Sequence, residues 1–312
     1  CGMREKGATP EARSGSRLVI GPWFHGSTGG RKSGQVDFGP QGAFDETNSV
    51  ARWCDYWLKG EKNGLDAEKP VRLFVMGENV WRDFDSWPPA GAVKTDFFLH
   101  AKKGANSLMG DGSLDGRPPA GKERPDSYRY DPSDPVPTLG GNDCCRETIV
   151  TAGPYDQRPV ELRNDVLVYT SAPLDKDLTV IGPISVELWI ASSASNTDFT
   201  AKLVDVDQSG KAINISSGIL RAPLRNSLER WEELVPGQPT RLVIELTPTA
   251  NTFQAGHCVR LEDSSSDFPR YDRNLNTPGP AFSGKTEYKI ADQQVFHDKE
   301  RSSRLILPVM PR

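Results

Sequence analysis

The chain has 312 residues, which suggests about two domains. Its 36% hydrophobic and 26% charged residues are ordinary for a globular protein. A net charge of −4 gives no electrostatic case for nucleic acid or an anionic membrane surface, and no apolar run reaches the roughly 18 residues that a bilayer span needs.

The opening stretch CGMREKGATPEARSG has no apolar core and does not read as a signal peptide. It is followed by RLVIGPWFHG, residues 17–26, in which Leu18, Val19 and Ile20 form a short strand stopped by Gly21-Pro22. His25, one of only four histidines, comes just after the stop. A buried strand that ends in a turn and then presents a histidine is a common way to hold a general base. A Gly-rich loop leads to FDETNSVARWCDYWLKG, where Val50, Trp53, Cys54, Trp57 and Leu58 fall on one helical stripe. The spacing predicts a helix over 46–59, with Asp45 as N-cap and Gly60 as stop. One strand and one helix cannot bury their own apolar faces, so this segment needs a larger sheet to pack on.

From about residue 70 the period changes to that of strands. VRLFVMG, TDFFLH, SYRYD, DVLVYTS, PISVELWIA, DFTAKLVDV, TRLVIEL and RLILPV are strand-like runs with turn residues between them. Together they argue for a mainly β fold, an antiparallel sandwich or jelly roll. The stretches 101–125 and 222–238 read as polar loops. In HCVRLEDSSSDF, Asp263 falls on the face of Val259 and Leu261, which suggests that the strand has ended or bulged there. Asp198 in NTDF reads as a turn cap. Five cysteines, Cys1, Cys54, Cys144, Cys145 and Cys258, include no C-x-x-C pair. Neither a disulfide framework, a zinc site nor any cofactor is expected, and a reducing cytoplasm is the expected setting.

Several segments carry a resemblance in order along the chain: RLVIGPWFHG, YWLKGEKNGL, VRLFVMGENVWRDFDSWPP, YDPSDPVPTLGG, SSASNTDFTAKLVDVDQSG and SSSDFPRYDRNLNT. The chain resembles the C-terminal half of the cocaine esterase / X-Pro dipeptidyl-peptidase group of serine hydrolases, which also includes α-amino-acid ester hydrolases and glutaryl acylases. The resemblance implies a C-terminal jelly-roll (galactose-binding-like) sandwich over 70–312. It implies that residues 1–65 are the last strand and helix of an α/β-hydrolase domain. It makes His25 the base of a Ser-Asp-His triad. It also implies that the loop after Gly140-Gly141, with Asn142, Asp143, Cys144 and Cys145, lines the pocket for an ester, amide or peptide substrate. No nucleophile elbow of the G-x-S-x-G type is present, and residues 1–24 hold no Asp, only Glu5 and Glu11. The chain therefore reads as starting just after the triad acid, inactive alone, with an N-terminal hydrolase half as partner in cis or trans. Arg270 and Arg273 of FPRYDRN read as loop anchors paired to local acids. The alternative is a non-catalytic β-sandwich module for binding or oligomerisation. On either reading, the unmatched apolar surface of 1–65 leads to the expectation of a homo-oligomer.

Overall fold

The computed structural model describes residues 2–144, 150–280 and 286–311. Two short helices, α1 (Gly2–Lys6) and α2 (Pro10–Gly15), precede strand β1 (Leu18–Ile20). A small hairpin follows, β2 (Lys32–Ser33) with β3 (Val36–Asp37), and then helix α3 (Glu46–Lys59). The boundaries of α3 have the expected local causes. The Asp45 carboxylate accepts from the Asn48 N–H at 2.9 Å, and Gly60 closes the helix in the left-handed region at φ 75°.

After α3 the chain enters β4 (Val71–Val75) and β5 (Val80–Phe84). β1 pairs in parallel with β4, Leu18 opposite Val71 and Ile20 opposite Leu73, and β4 pairs antiparallel with β5. A parallel pair needs a long crossover, and α3 lies within it, so β1, α3 and β4 form a βαβ unit. This differs from the sequence reading, in which β1 has no neighbour in this chain. It has one, supplied from beyond the expected break at 65–70, so that break runs through a three-stranded sheet of order β1-β4-β5. The other edge of β1 has no strand beside it among the described residues.

The remaining strands are β6 (Val93–His100), β7 (Ser113–Asp115), β8 (Asp126–Tyr130), β9 (Leu167–Ser171), β10 (Leu178–Ser192), β11 (Asp198–Val206), β12 (Ala212–Arg221), β13 (Thr240–Phe253), β14 (Cys258–Ser264), β15 (Ala291–Phe296) and β16 (Arg304–Val309). Helix α4 (Arg158–Glu161) is a single turn before β9. The strands form one continuous path, β12-β11-β14-β9-β7-β6-β16-β10-β15-β8, with β13 paired to β10. The β7–β9 pair is parallel and the other pairs in this path are antiparallel. The path folds over a single large core, the mainly β sandwich that the strand pattern predicts. In β10 the alternation does this directly: Ile184, Val186, Leu188 and Ile190 face inward and are fully buried. β10 also bulges between Gly182 and Ile184. Gly182 sits at φ 137°, where an L side chain is strained, and an added Cβ would press on Pro308 at 3.3 Å.

Two acidic residues depart from expectation. β14 does not end at Asp263, which stays in register opposite Ala201 and Leu167. Its side chain is fully buried, and burial raises its carboxyl well above the ordinary range, favouring the neutral acid that a core accepts. Asp198 is not a turn cap. It is buried, takes both Arg221 nitrogens at 3.0 Å, and accepts from Asn274 at 2.7 Å.

Candidate functional site

The site is built outward from the end of β1. Leu18 donates to the Pro70 carbonyl at 2.9 Å, which seats the strand against β4. Gly21 must be glycine, since a Cβ there would lie 2.4 Å from the Trp23 ring. That close approach turns Trp23 into an aromatic nest. Its ring centroid lies 5.6 Å from Phe44 and 5.8 Å from Trp81, and its indole N–H donates to the Gly42 carbonyl at 3.0 Å. The backbone is therefore fixed up to Phe24, and His25 is the next residue.

His25 and Gly26 form the tip of a tight turn, closed by the Ser27 N–H donating to the Phe24 carbonyl at 3.1 Å. The Ser27 hydroxyl is occupied locally. It accepts from the Phe24 N–H at 3.2 Å and also faces the Phe24 carbonyl at 3.3 Å, so it cannot serve as a nucleophile for the imidazole. His25 itself is exposed. The contrast with the other histidines is informative. His100 lies 3.1 Å from Glu123, His257 is 2.8 Å from Asp205, and His297 is 3.0 Å from both Glu123 and Asp126. Each of these three has a carboxylate partner. His25 has no such partner among the described residues.

Behind the turn lies a cavity of about 400 Å³ between the 20–38 segment and the outer face of the sandwich. Trp23, Phe24 and Phe74 wall one side, Ile213 and Ile215 of β12 the other, and Gly141 and Asn142 border it. The structure thus brings the Pro22–Phe24 turn and the start of the expected pocket loop to one cavity, while His25 lies outside its lining. The His257–Asp205 pair also borders it. Burial raises the Asp205 carboxyl, against the hydrogen bond from His257.

The loop is held by a residue that the sequence reading treats only as an anchor. The Arg270 guanidinium donates to Asn142 Oδ1 and to Ser217 Oγ, the latter at 2.7 Å, with its Nε 3.8 Å from Asp143. Arg273 has no acid partner among the described residues, contrary to expectation; it donates to the Pro132 carbonyl at 2.8 Å. Cys144 is disulfide-bonded, whereas the sequence reading expects no disulfide framework. Cys145 lies outside the described residues, and Cys54 and Cys258 are free thiols. Among the described residues no group of His, Cys, Asp or Glu side chains is placed to hold a metal ion. No helix among them is long and apolar enough to cross a membrane.

A second hollow of about 1010 Å³ opens on the other side of β1. Met3, Leu18, Val19, Val50, Trp53 and Trp87 line it. It follows the free edge of β1 and the stripe of α3 that the sequence predicts to face a larger sheet. The two tryptophans of that stripe lean on α2: the Trp53 indole donates to the Gly15 carbonyl at 3.2 Å, and Trp57 covers Gly15 so closely that a Cβ would meet its ring at 2.5 Å.

Comparison with known proteins agrees with this geometry. The profile of the X-Pro dipeptidyl-peptidase C-terminal non-catalytic domain matches residues 63–306. A cocaine esterase of Rhodococcus sp. (strain MB1 Bresler) is 38% identical over 301 residues, 95% of this chain and 52% of that protein. Among solved structures, an aminopeptidase from a marine sediment archaeon, Thaumarchaeota archaeon, superposes with a TM-score of 0.83 at 29% identity, over 95% of this chain and 49% of that one. An α-amino acid ester hydrolase superposes with a TM-score of 0.79 at 29% identity, over 94% of this chain and 50% of that one. The chain spans about half the length of these relatives. The match takes in β4 and β5 of the small sheet and nearly all of the sandwich, β6 to the start of β16, and the chain belongs to the family of X-Pro dipeptidyl-peptidase C-terminal domains.

Proposed function

We propose that this chain is the C-terminal portion of a serine hydrolase that cleaves ester or amide bonds, acyl or dipeptidyl, and that His25 is the base of its Ser-Asp-His triad. The serine and aspartate belong to a hydrolase half supplied in cis or in trans. The observation that carries the reading is the state of His25: exposed, on a rigid turn, at the end of a strand whose other edge is free, and without the carboxylate partner that the other three histidines have. Catalytic groups of α/β sheets sit just past the C-terminal ends of strands, and His25 is five residues past Ile20.

In the assembled site the His25 imidazole takes the serine proton as the hydroxyl attacks the carbonyl carbon, then returns it to the leaving alcohol or amine. The aspartate on the other half fixes the imidazole tautomer. Trp23 and Phe24, with Asn142, shape an acyl pocket. Asp143 and Cys144 follow Asn142 in the same loop, and Cys145 lies outside the described residues. The family profile begins at residue 63, after both His25 and α3, so the segment carrying the proposed base precedes the part described as non-catalytic. The alternative, a binding or oligomerisation module alone, rests on that same description.

The test is reconstitution. The isolated chain should hydrolyse p-nitrophenyl acetate and butyrate at background and should not be labelled by a fluorophosphonate. Joined to a hydrolase half carrying the serine elbow, it should turn over both esters. His25→Ala should then lower kcat by on the order of 10⁴-fold or more. Full activity in the His25→Ala assembly would make the chain a structural module.

A further inference from the structure

We propose that Arg270 is a positioning residue that sets Asn142 and the 138–143 loop, and through them the size of the acyl group the cavity admits. This rests on the preceding reading that the cavity holds part of the substrate.

The loop has two kinds of tether. The first is backbone pairing. Phe268 donates to Val136 at 2.9 Å and Thr138 donates to Phe268 at 2.7 Å; Gly141 and Gly153 exchange two bonds of 2.7 Å. These place the main chain but not the side chains at 142 and 143. The second is side-chain bonding: Gln157 donates to the Leu139 carbonyl at 2.8 Å, the Asn142 amide donates to Thr247 Oγ1 at 3.3 Å, and the third such tether is Arg270. Its side chain is 9% exposed and lies under the loop, with the guanidinium 4.9 Å from the Tyr271 ring centroid. One edge reaches Ser217 on β12 and Asn142, and Nε faces Asp143 at 3.8 Å. Asp267 sits 4.0 Å from the same group. The cation is thus flanked by two acids and a strand hydroxyl, and it joins the loop to the sandwich wall that forms the far side of the cavity.

The fork has a shape requirement that only arginine meets. A planar guanidinium donates to Ser217 and Asn142 at once while its charge lies 3.8 Å from Asp143, whereas an ammonium is a point charge with no fixed directions. Gly141 is shaped to it as well. Its φ of 117° disfavours a side chain, and an added Cβ would come within 2.9 Å of the guanidinium. Gly141, Asn142 and Ser217 all border the cavity, while the guanidinium is turned away from it. Arg270 therefore fixes part of the cavity border, which also includes Ile213 and Ile215 and, elsewhere, Asp205, Asp207, Lys211 and His257. With Asn142 held in place, that part of the border sets the bulk of the acyl chain the cavity admits.

Two measurements separate this proposal from the reading beneath it. In the assembled hydrolase, Arg270→Ala and Arg270→Lys should both shift the ratio of kcat/KM for p-nitrophenyl butyrate over acetate by about tenfold. The change should lie in KM rather than kcat, and added guanidinium ion should restore the ratio in Arg270→Ala. A parallel fall for both esters, or rescue by lysine, would overturn the positioning role. In the isolated chain, which needs no activity, Arg270→Ala should speed amide exchange at 138–144 by about tenfold while β10 is unchanged. Equal exchange in mutant and wild type would overturn the clamp itself. If the assembled wild type cleaves neither ester but the exchange result holds, the clamp stands and the hydrolase reading fails.

Discussion

The two sides of β4 obey different rules. On one side, the sandwich encloses its own core: Leu188, Phe199, Val259 and Leu305 are fully buried, and even the polar Glu187 is held by Arg241 and Arg304. On the other side, α3 has no buried residue, with Val50 at 55% and Leu58 at 78% exposure. β1 offers Val19 and Ile20 to solvent, Val19 along the hollow beside it. Both regions are built from the same kind of apolar pattern. The sandwich pairs that pattern with itself, whereas the βαβ segment presents half of an interface. A large apolar side chain left in water forgoes roughly 1.5–3 kcal/mol, so the segment is stable here because β4 and the aromatic nest hold it, not because its own faces are satisfied.

Core truncation should break the symmetry between the two regions most strongly. Phe199→Ala should cost about 3–5 kcal/mol in urea unfolding, while Val50→Ala should stay within about 0.5 kcal/mol in the isolated chain. Comparable losses would mean that α3 is packed as tightly as the sandwich. Within the sandwich, Arg221→Ala strands the buried Asp198 carboxylate and should cost about 3 kcal/mol, and Asp198→Asn in the same background should recover part of it. A fully additive pair would show that the two groups do not depend on each other.

The sandwich should also have a pH dependence set by a buried histidine. Burial disfavours the His297 imidazolium, but hydrogen bonds to Asp126 and Glu123 outweigh it, and its pKa lies above the ordinary histidine value. A pKa raised in the folded state adds stability that is fully present below the unfolded value near 6.5 and is lost as pH rises through the folded value. Unfolding midpoints should therefore fall as pH rises from about 6.5, and His297→Gln should flatten that slope. A slope unaffected by the substitution would place the titrating group elsewhere. The smallest expected effect is at the helix cap: Asp45→Ala should cost about 1 kcal/mol. It should be seen as faster exchange in the first turn of α3, with the unfolding midpoint of the sandwich unchanged.

Much of this was legible in the sequence because burial and pattern agree. The alternation in β10, the stripe and caps of α3 and the stop after β1 all read correctly. The stretch 101–125, read as a polar loop, holds the short strand β7, while two longer strands that were missed, β12 and β15, share one cause. β12 buries Asn214 and Ser216 and turns Ile213 and Ile215 toward the cavity, and β15 buries Gln293, so neither carries the apolar-in alternation of a strand. Asp263 misled for the same reason: an acid on the core face looks like the end of a strand. The β1–β4 pairing joins residues separated by a long crossover, which local pattern cannot show. The role proposed for His25 comes from resemblance. What the structure adds is its exposure and its lack of a partner. The grip of Arg270 on Asn142 was invisible because it links residues 128 positions apart.

Hydrogen–deuterium exchange on the chain alone and after addition of a hydrolase half tests the division most directly. The account predicts that amides of 18–24 and 46–59 exchange far faster than those of β10 and β14 in the isolated chain. It predicts that only those two segments, with the loop at 138–144, gain protection when the other half binds. Protection of β1 and α3 equal to that of β10 in the isolated chain, with no change on addition, would contradict it.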